Sequence, residues 1–165
     1  MNSINYINNL SRDEFCNIFG NVFEKTAWIA KKTYGLKPFL NFENFQNSFL
    51  SIYDQCNVDQ FIKIFNSHPQ LAVEKIMTEY SIKEQSQSNL DSCTEDELNE
   101  FIQLNQNYLK KFNFPFIIAV AGLNKKDILV KFRKRINNNY NEEFEEAKTQ
   151  VKKIASLRLN KILNK

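Results

Sequence analysis

Glycine and proline are scarce, at three residues each in a chain of 165. Barrels, sandwiches and dinucleotide-binding folds use many of both in their turns, so this scarcity argues against all three. Cysteine is equally sparse. Cys16, Cys56 and Cys93 are odd in number, far apart and without CxxC spacing, which supports neither a disulfide framework nor a zinc cage and fits a reducing compartment. No Gly-rich phosphate loop, HExxH or GxSxG occurs, and no stretch approaches the roughly 18 apolar residues of a membrane span. The start, MNSINYINNLSRDEF, lacks a basic region followed by an apolar run, and the last residues, LNK, are not a peroxisomal address, so a cytoplasmic protein is expected. Charge of one sign is lacking too. With 22 Lys+Arg against 19 Asp+Glu, the net charge of +3 is too small and dispersed to announce a nucleic-acid partner.

What is present is 42% hydrophobic and 13% aromatic, the balance of a folded domain. One compact domain over 1–165 is expected, since a chain of this size buries roughly 70% of its unfolded surface. Helical signals dominate. Ser11 and Glu14 form an S-x-x-E capping box ahead of Phe15, Ile18, Phe19, Val22 and Phe23, one buried helical stripe. Trp28, Ile29 and Ala30 continue a short helix closed by Gly35 and Pro38. Phe42, Phe45, Phe49 and Ile52 repeat at helical spacing, and Asn57 caps a helix carrying Phe61, Ile64 and Phe65. Pro69 drives the residue before it out of the α region, so that helix should end at or near His68. Ser81/Glu84 and Thr94/Glu97 read as further capping boxes.

The sequence then changes character. Phe114 to Val120 is a continuous apolar run bounded by Asn113 and Gly122, read as a buried extended segment or a helix entered through Pro115. An amphipathic helix with Ile128, Leu129, Phe132 and Ile136, the break Asn137-Asn138-Asn139, and a terminal helix from about Asn141 complete the chain. The expected fold is an all-α, single-domain bundle of roughly seven or eight helices.

Three places invite chemistry. His68 is the only imidazole, the one side chain that both takes and gives a proton near neutrality. It stands where a helix stops, and capping that helix is the plainer alternative. Arg158 falls in the middle of the terminal helix's apolar stripe of Phe144, Ala147, Val151, Ile154/Ala155 and Ile162. A core-facing guanidinium needs an acid, a carbonyl or an anionic ligand opposite; a structural bridge to an acid such as Glu84 and ligand binding are both open. Ser81 and Glu84 are explained as a cap, but Gln85 is outside it, and a Glu-Gln pair suits a urea or amide group. Lys131, Arg133, Lys134 and Arg135 read as a solvated helix face. An enzyme built on these residues is expected to need neither metal nor cofactor.

Taken together, Phe65-x-x-His68-Pro69-x-Leu71-Ala72, Ser81-x-x-Glu84-Gln85, Phe101-x-x-Leu104-Asn105-x-x-Tyr108-x-x-Lys111-Phe112-x-Phe114-Pro115-Phe116-Ile117 and Gln150-x-x-x-Ile154-Ala155-x-x-Arg158-Leu159 closely resemble the OHCU decarboxylase family. OHCU is 2-oxo-4-hydroxy-4-carboxy-5-ureidoimidazoline, an unstable intermediate of urate degradation. The resemblance runs in order from Phe15 to about Leu163. It implies a cofactor-free carboxy-lyase that converts OHCU to (S)-allantoin on an all-helical, typically homodimeric fold. It makes His68 and Glu84 the catalytic pair, and Pro69, Ser81, Gln85, the backbone of Phe116, Ile117, Ile118, Ala119 and Val120, and Arg158 the substrate-binding set. Pairing Arg158 with the leaving carboxylate would stabilise the ground state, so it is expected to orient ring atoms or Glu84.

Two family glycines are replaced by Asn89 and Asn113, and asparagine adopts left-handed backbone more readily than other side-chain-bearing residues. No transthyretin-like hydrolase segment accompanies these motifs, so a separate chain is expected to perform the preceding step. An inactive interaction module on this scaffold, or a lyase for a related ureido or hydantoin compound, are the alternatives.

Overall fold

The computed structural model describes residues 3–73 and 77–164. Met1 and Asn2, at the start on which the leaderless reading draws, and Lys165, last residue of the C-terminal tripeptide, lie outside them. The helices are α1 (Ile4–Asn9), α2 (Arg12–Phe19), α3 (Ala27–Tyr34), α4 (Phe42–Asp54), α5 (Val58–Asn66), α6 (Glu79–Gln87), α7 (Glu95–Phe112), α8 (Lys125–Arg135) and α9 (Tyr140–Leu163), with a 3-10 turn at Leu90–Ser92. No strand occurs among the described residues. The fold is all-α.

Local signals set most of the helix starts. The Ser11/Glu14, Asn57/Gln60 and Thr94/Glu97 capping boxes form, each satisfying backbone donors that a helix N-terminus leaves orphaned. Helix α5 ends at Asn66 with Ser67 as its cap, just ahead of His68-Pro69 as the proline requires. Helix α2 stops at Phe19, before Gly20. Val22 and Phe23 are buried all the same, so the expected stripe survives in the core although its last two members leave the helix. The 114–120 run is buried throughout and forms neither helix nor strand, which decides against the helical alternative.

The chain packs as two compact units. One comprises Met1–Ser67 with Lys152–Lys165, the other His68–Val151. The core of the first is aromatic: Phe15 lies edge-on to Phe45 at 6.0 Å between ring centroids, Phe23 stacks on Tyr53 at 4.9 Å, and Tyr53 meets Phe61 edge-on at 5.1 Å. The second unit has a separate cluster, in which Tyr108 meets Phe116 and Phe132 edge-on at 5.4 and 5.6 Å, and Phe116 stacks on Phe132.

Asn89 and Asn113, where the resemblance leads one to expect glycine, adopt the backbone a glycine would supply, with φ of +57° and +60°. Asn113 is the left-handed cap of α7, its N–H donating to the Leu109 carbonyl. Replacing Asn113 with Val is expected to destabilise the protein by about 1–2 kcal/mol, while Asn113→Gly is tolerated, because a β-branched side chain is strained at positive φ. Thermal unfolding of the two variants checks this.

Candidate active site

Helix α6 is the unusual element of the second unit. Its buried positions are Ser81 and Gln85, and its cap Ser88 is buried as well, so the stripe that faces inward at i, i+4 and i+7 is entirely polar. A helix ordinarily buries an apolar stripe, and buried polar groups must be satisfied or serve a ligand. The cap of α6 also differs from expectation. Thr78 is the N-cap and accepts from the Ser81 N–H at 3.4 Å. Ser81 therefore occupies the third helical position, and the Ser81/Glu84 capping box does not form. The capping explanation for these two residues falls away. Thr78 competes with Ser81 as a cap on sequence alone, and only packing chooses between them.

Gln85 organises the loop that follows the histidine. Its Oε1 accepts from the Ala72 N–H at 3.0 Å, and its Nε2 lies 3.4 Å from the Gln70 carbonyl and 3.1 Å from the Met77 sulfur. Ala72 sits at φ +64°, where a residue with a Cβ costs roughly 1–2 kcal/mol, so this loop holds strain against which the Gln85 bond works. From the other side Asn105 of α7, 2% exposed, donates through Nδ2 to the Leu71 carbonyl at 3.0 Å. Its Oδ1 is buried and accepts no hydrogen bond among the described residues. His68, at the head of the loop, is itself 8% exposed. Glu84 is half-buried beside this polar stripe and Pro69 is half-buried in the loop.

The 116–120 segment joins the same unit. Ser88 Oγ donates to the Val120 carbonyl at 3.1 Å, Gln150 accepts from the Ala119 N–H at 2.8 Å, and Arg135 donates to the Ile117 carbonyl at 2.8 Å. Thus the His68 loop, the polar face of the helix α6 that follows it, and the apolar segment some thirty residues further on are tied together by side-chain to backbone bonds.

Arg135 corrects the reading of the basic cluster. Lys131, Arg133 and Lys134 are exposed, with Arg133 paired to Glu100, but Arg135 is buried and bound to Glu143, itself fully buried. Glu143 accepts from Arg135 Nε at 2.9 Å, from Asn138 Nδ2 at 2.8 Å, and from the Tyr108 hydroxyl. Burial, reinforced by the Glu143 carboxylate, holds the Tyr108 hydroxyl far above the ordinary tyrosine pKa. The guanidinium also lies over the Phe116 ring, 4.4 Å from its centroid. Sequence contained the signal: Arg135 falls at i+7 and i+3 from Ile128 and Phe132, on the buried stripe of α8.

Arg158 belongs to the first unit and is 2% exposed, as its place in the α9 stripe predicts. The acid that meets it is Glu24, fully buried, at 2.9 Å; the same Nη1 reaches the carbonyls of Asn21 and Val22 at 3.1 and 3.4 Å. Glu24 lies outside any helix and no periodicity pointed to it.

Comparison with known proteins agrees with the motifs. The profile of the OHCU decarboxylase family matches residues 8–160. A uric acid degradation bifunctional protein of Bacillus sp. (strain TB-90) is 35% identical over 162 residues, 98% of this chain and 32% of that protein; the chain thus spans about a third of the length of that relative. A 2-oxo-4-hydroxy-4-carboxy-5-ureidoimidazoline decarboxylase of Amia calva is 32% identical, with 95% of this chain and 92% of that one aligned. A crystal structure of OHCU decarboxylase in the presence of (S)-allantoin superposes with a TM-score of 0.75 at 26% identity, covering 90% of this chain and 99% of that one. With the profile spanning almost all of its length, the chain belongs to the OHCU decarboxylase family.

Proposed function

We propose that the protein decarboxylates OHCU to (S)-allantoin without a cofactor, as a carboxy-lyase of urate degradation. The observation that carries this reading is the polar buried face of α6, turned inward in the unit that also holds the His68 loop and the 116–120 segment. A ureidoimidazoline is dense in amide-like donors and acceptors, the chemistry that such a face binds.

Loss of CO2 leaves an electron pair that must be delocalised and then protonated on one side of the ring. His68 manages the proton, with Glu84 as its acidic partner at the hydroxyl-bearing carbon and its neighbour. Ser81 holds the ureido group together with Gln85, whose Oε1 keeps a second lone pair beside the bond from the Ala72 N–H, Pro69 lines the site beside the histidine, and backbone groups of Phe116 to Val120 fix the ring. Phe114 and Phe116 supply an apolar wall, which favours neutral CO2 over the carboxylate it comes from. The reading extends to a homodimeric, cytoplasmic enzyme without a nucleic-acid partner. Among the described residues, no helix is long and apolar enough to cross a membrane.

Because OHCU decays unaided, product appearance alone says nothing. The test is circular dichroism of allantoin formed from freshly generated OHCU with and without the protein. Accelerated formation of the S enantiomer is the expected result; racemic product at the uncatalysed rate would refute the reading.

A further inference from the structure

Two side chains to which the mechanism above gives no task grip the apolar segment on either side of one residue. Arg135 Nη1 donates to the Ile117 carbonyl, and Gln150 Oε1 accepts from the Ala119 N–H, both at 2.8 Å. A peptide unit is planar and trans, so its C=O and N–H point in opposite directions. Holding the Ile117 carbonyl therefore aims the Ile118 N–H away from Arg135. Holding the Ala119 N–H aims the Ile118 carbonyl away from Gln150. We propose that Arg135 and Gln150 are positioning residues that set the Ile118 N–H and C=O as an adjacent donor–acceptor pair for the amide-like edge of the substrate, an inference that rests on the proposed decarboxylase activity.

Both anchors are braced. Arg135 is held by Glu143 and by the face of Phe116. Gln150 Nε2 donates to Glu146 Oε1 at 2.8 Å. That bond fixes which way the Gln150 amide faces, since a flipped amide would set donor against donor at Ala119 and acceptor against acceptor at Glu146. A buried ion pair is seldom the most stabilising way to fill such a space, so its use to hold a carbonyl of the substrate-reading segment agrees with an orienting task. The neighbouring Val120 carbonyl already accepts from Ser88 Oγ and the Leu123 N–H, which leaves Ile118 as the residue whose two polar groups are aimed from both sides. A cyclic urea or ureido edge carries N–H beside C=O and so complements an acceptor beside a donor.

The test uses Gln150→Leu, which removes the acceptor, and the exchange variant Glu146→Gln/Gln150→Glu, which restores an acceptor for Ala119 and a donor–acceptor bond between positions 146 and 150. Steady-state OHCU kinetics are measured for each, together with amide hydrogen exchange at Ile118 and Ala119 by nuclear magnetic resonance. Gln150→Leu is expected to lower kcat/KM about tenfold, mainly through KM, and to speed exchange at Ala119, with the exchange variant recovering most of both losses. A Gln150→Leu enzyme within twofold of wild-type kcat/KM, or an exchange variant that restores nothing, overturns the proposal. If wild type accelerates the reaction but Ala119 exchange is unchanged in Gln150→Leu, the anchor alone fails. If wild type gives no acceleration, the functional reading itself fails and takes the assignment of Ile118 with it.

Discussion

Replacing His68 with Asn is expected to lower the acceleration of OHCU decarboxylation by roughly 10²–10⁴-fold, the range that a lost general acid or base produces, and to abolish the handedness of the allantoin formed. No other imidazole exists in the chain to take over. Asparagine preserves much of the side-chain volume and keeps the residue ahead of Pro69 polar, so the fold should persist, with thermal unfolding shifted by only a few degrees. The backbone of the loop is held independently by Gln85 and Asn105, which is why the chemical and structural effects separate at this position. Stopped-flow kinetics with dichroism detection, beside thermal melts, decide the matter. A His68→Asn protein that turns over normally with S product would remove the mechanism.

The second large effect concerns stability. Glu143→Ala should destabilise the protein by about 3–5 kcal/mol, because it strands a buried guanidinium without its counter-charge. Glu143 is fully buried and accepts from Arg135, Tyr108 and Asn138, so one truncation breaks three contacts. For a chain of this size each kcal/mol lowers the melting temperature by about 2–4 °C. Tyr108→Phe removes only one donor to that carboxylate and should cost about 1.5–3 kcal/mol.

Tyr108→Phe also carries a pH signature when compared with wild type. The folded-state pKa of Tyr108 is raised, first by burial and then by Glu143. The unfolded state therefore loses that proton first as pH rises. Its stability contribution is fully present below the unfolded tyrosine pKa of about 10 and declines above it by roughly 1.4 kcal/mol per pH unit. The stability advantage of wild type over Tyr108→Phe should accordingly shrink above about pH 10 and stay flat below it. Denaturant melts of both proteins across that boundary measure it, and a parallel pH dependence in the two would show that Tyr108 does not titrate in this way.

Sequence was most informative where the physics is local. A capping box spans four residues, a proline constrains its neighbour, and an asparagine visits left-handed backbone through its own side chain; Ser11, Asn57, Thr94, His68-Pro69 and Asn113 were legible for that reason. Periodicity was as useful for Arg158, whose burial follows from its place on a helical stripe. Arg135 obeys the same rule: seven residues after Ile128 and three after Phe132, it is a second buried cation, inside a run of otherwise exposed charge. The Ser81 box failed because Thr78 caps the same helix and both choices satisfy local rules.

Composition, capping and stripe thus determined an all-helical chain, most of its helix starts, and the residue types available for proton transfer and amide recognition. Tertiary structure alone decided the partners: Glu24 for Arg158, Glu143 for Arg135, Gln85 and Asn105 for the loop after His68, Gln150 for Ala119. Helix signals are written in neighbouring residues, whereas a buried charge or amide requires only that some complementary atom arrive within hydrogen-bonding distance. Which of many distant candidates arrives is set by the packing of whole helices, and no spacing along the chain encodes it.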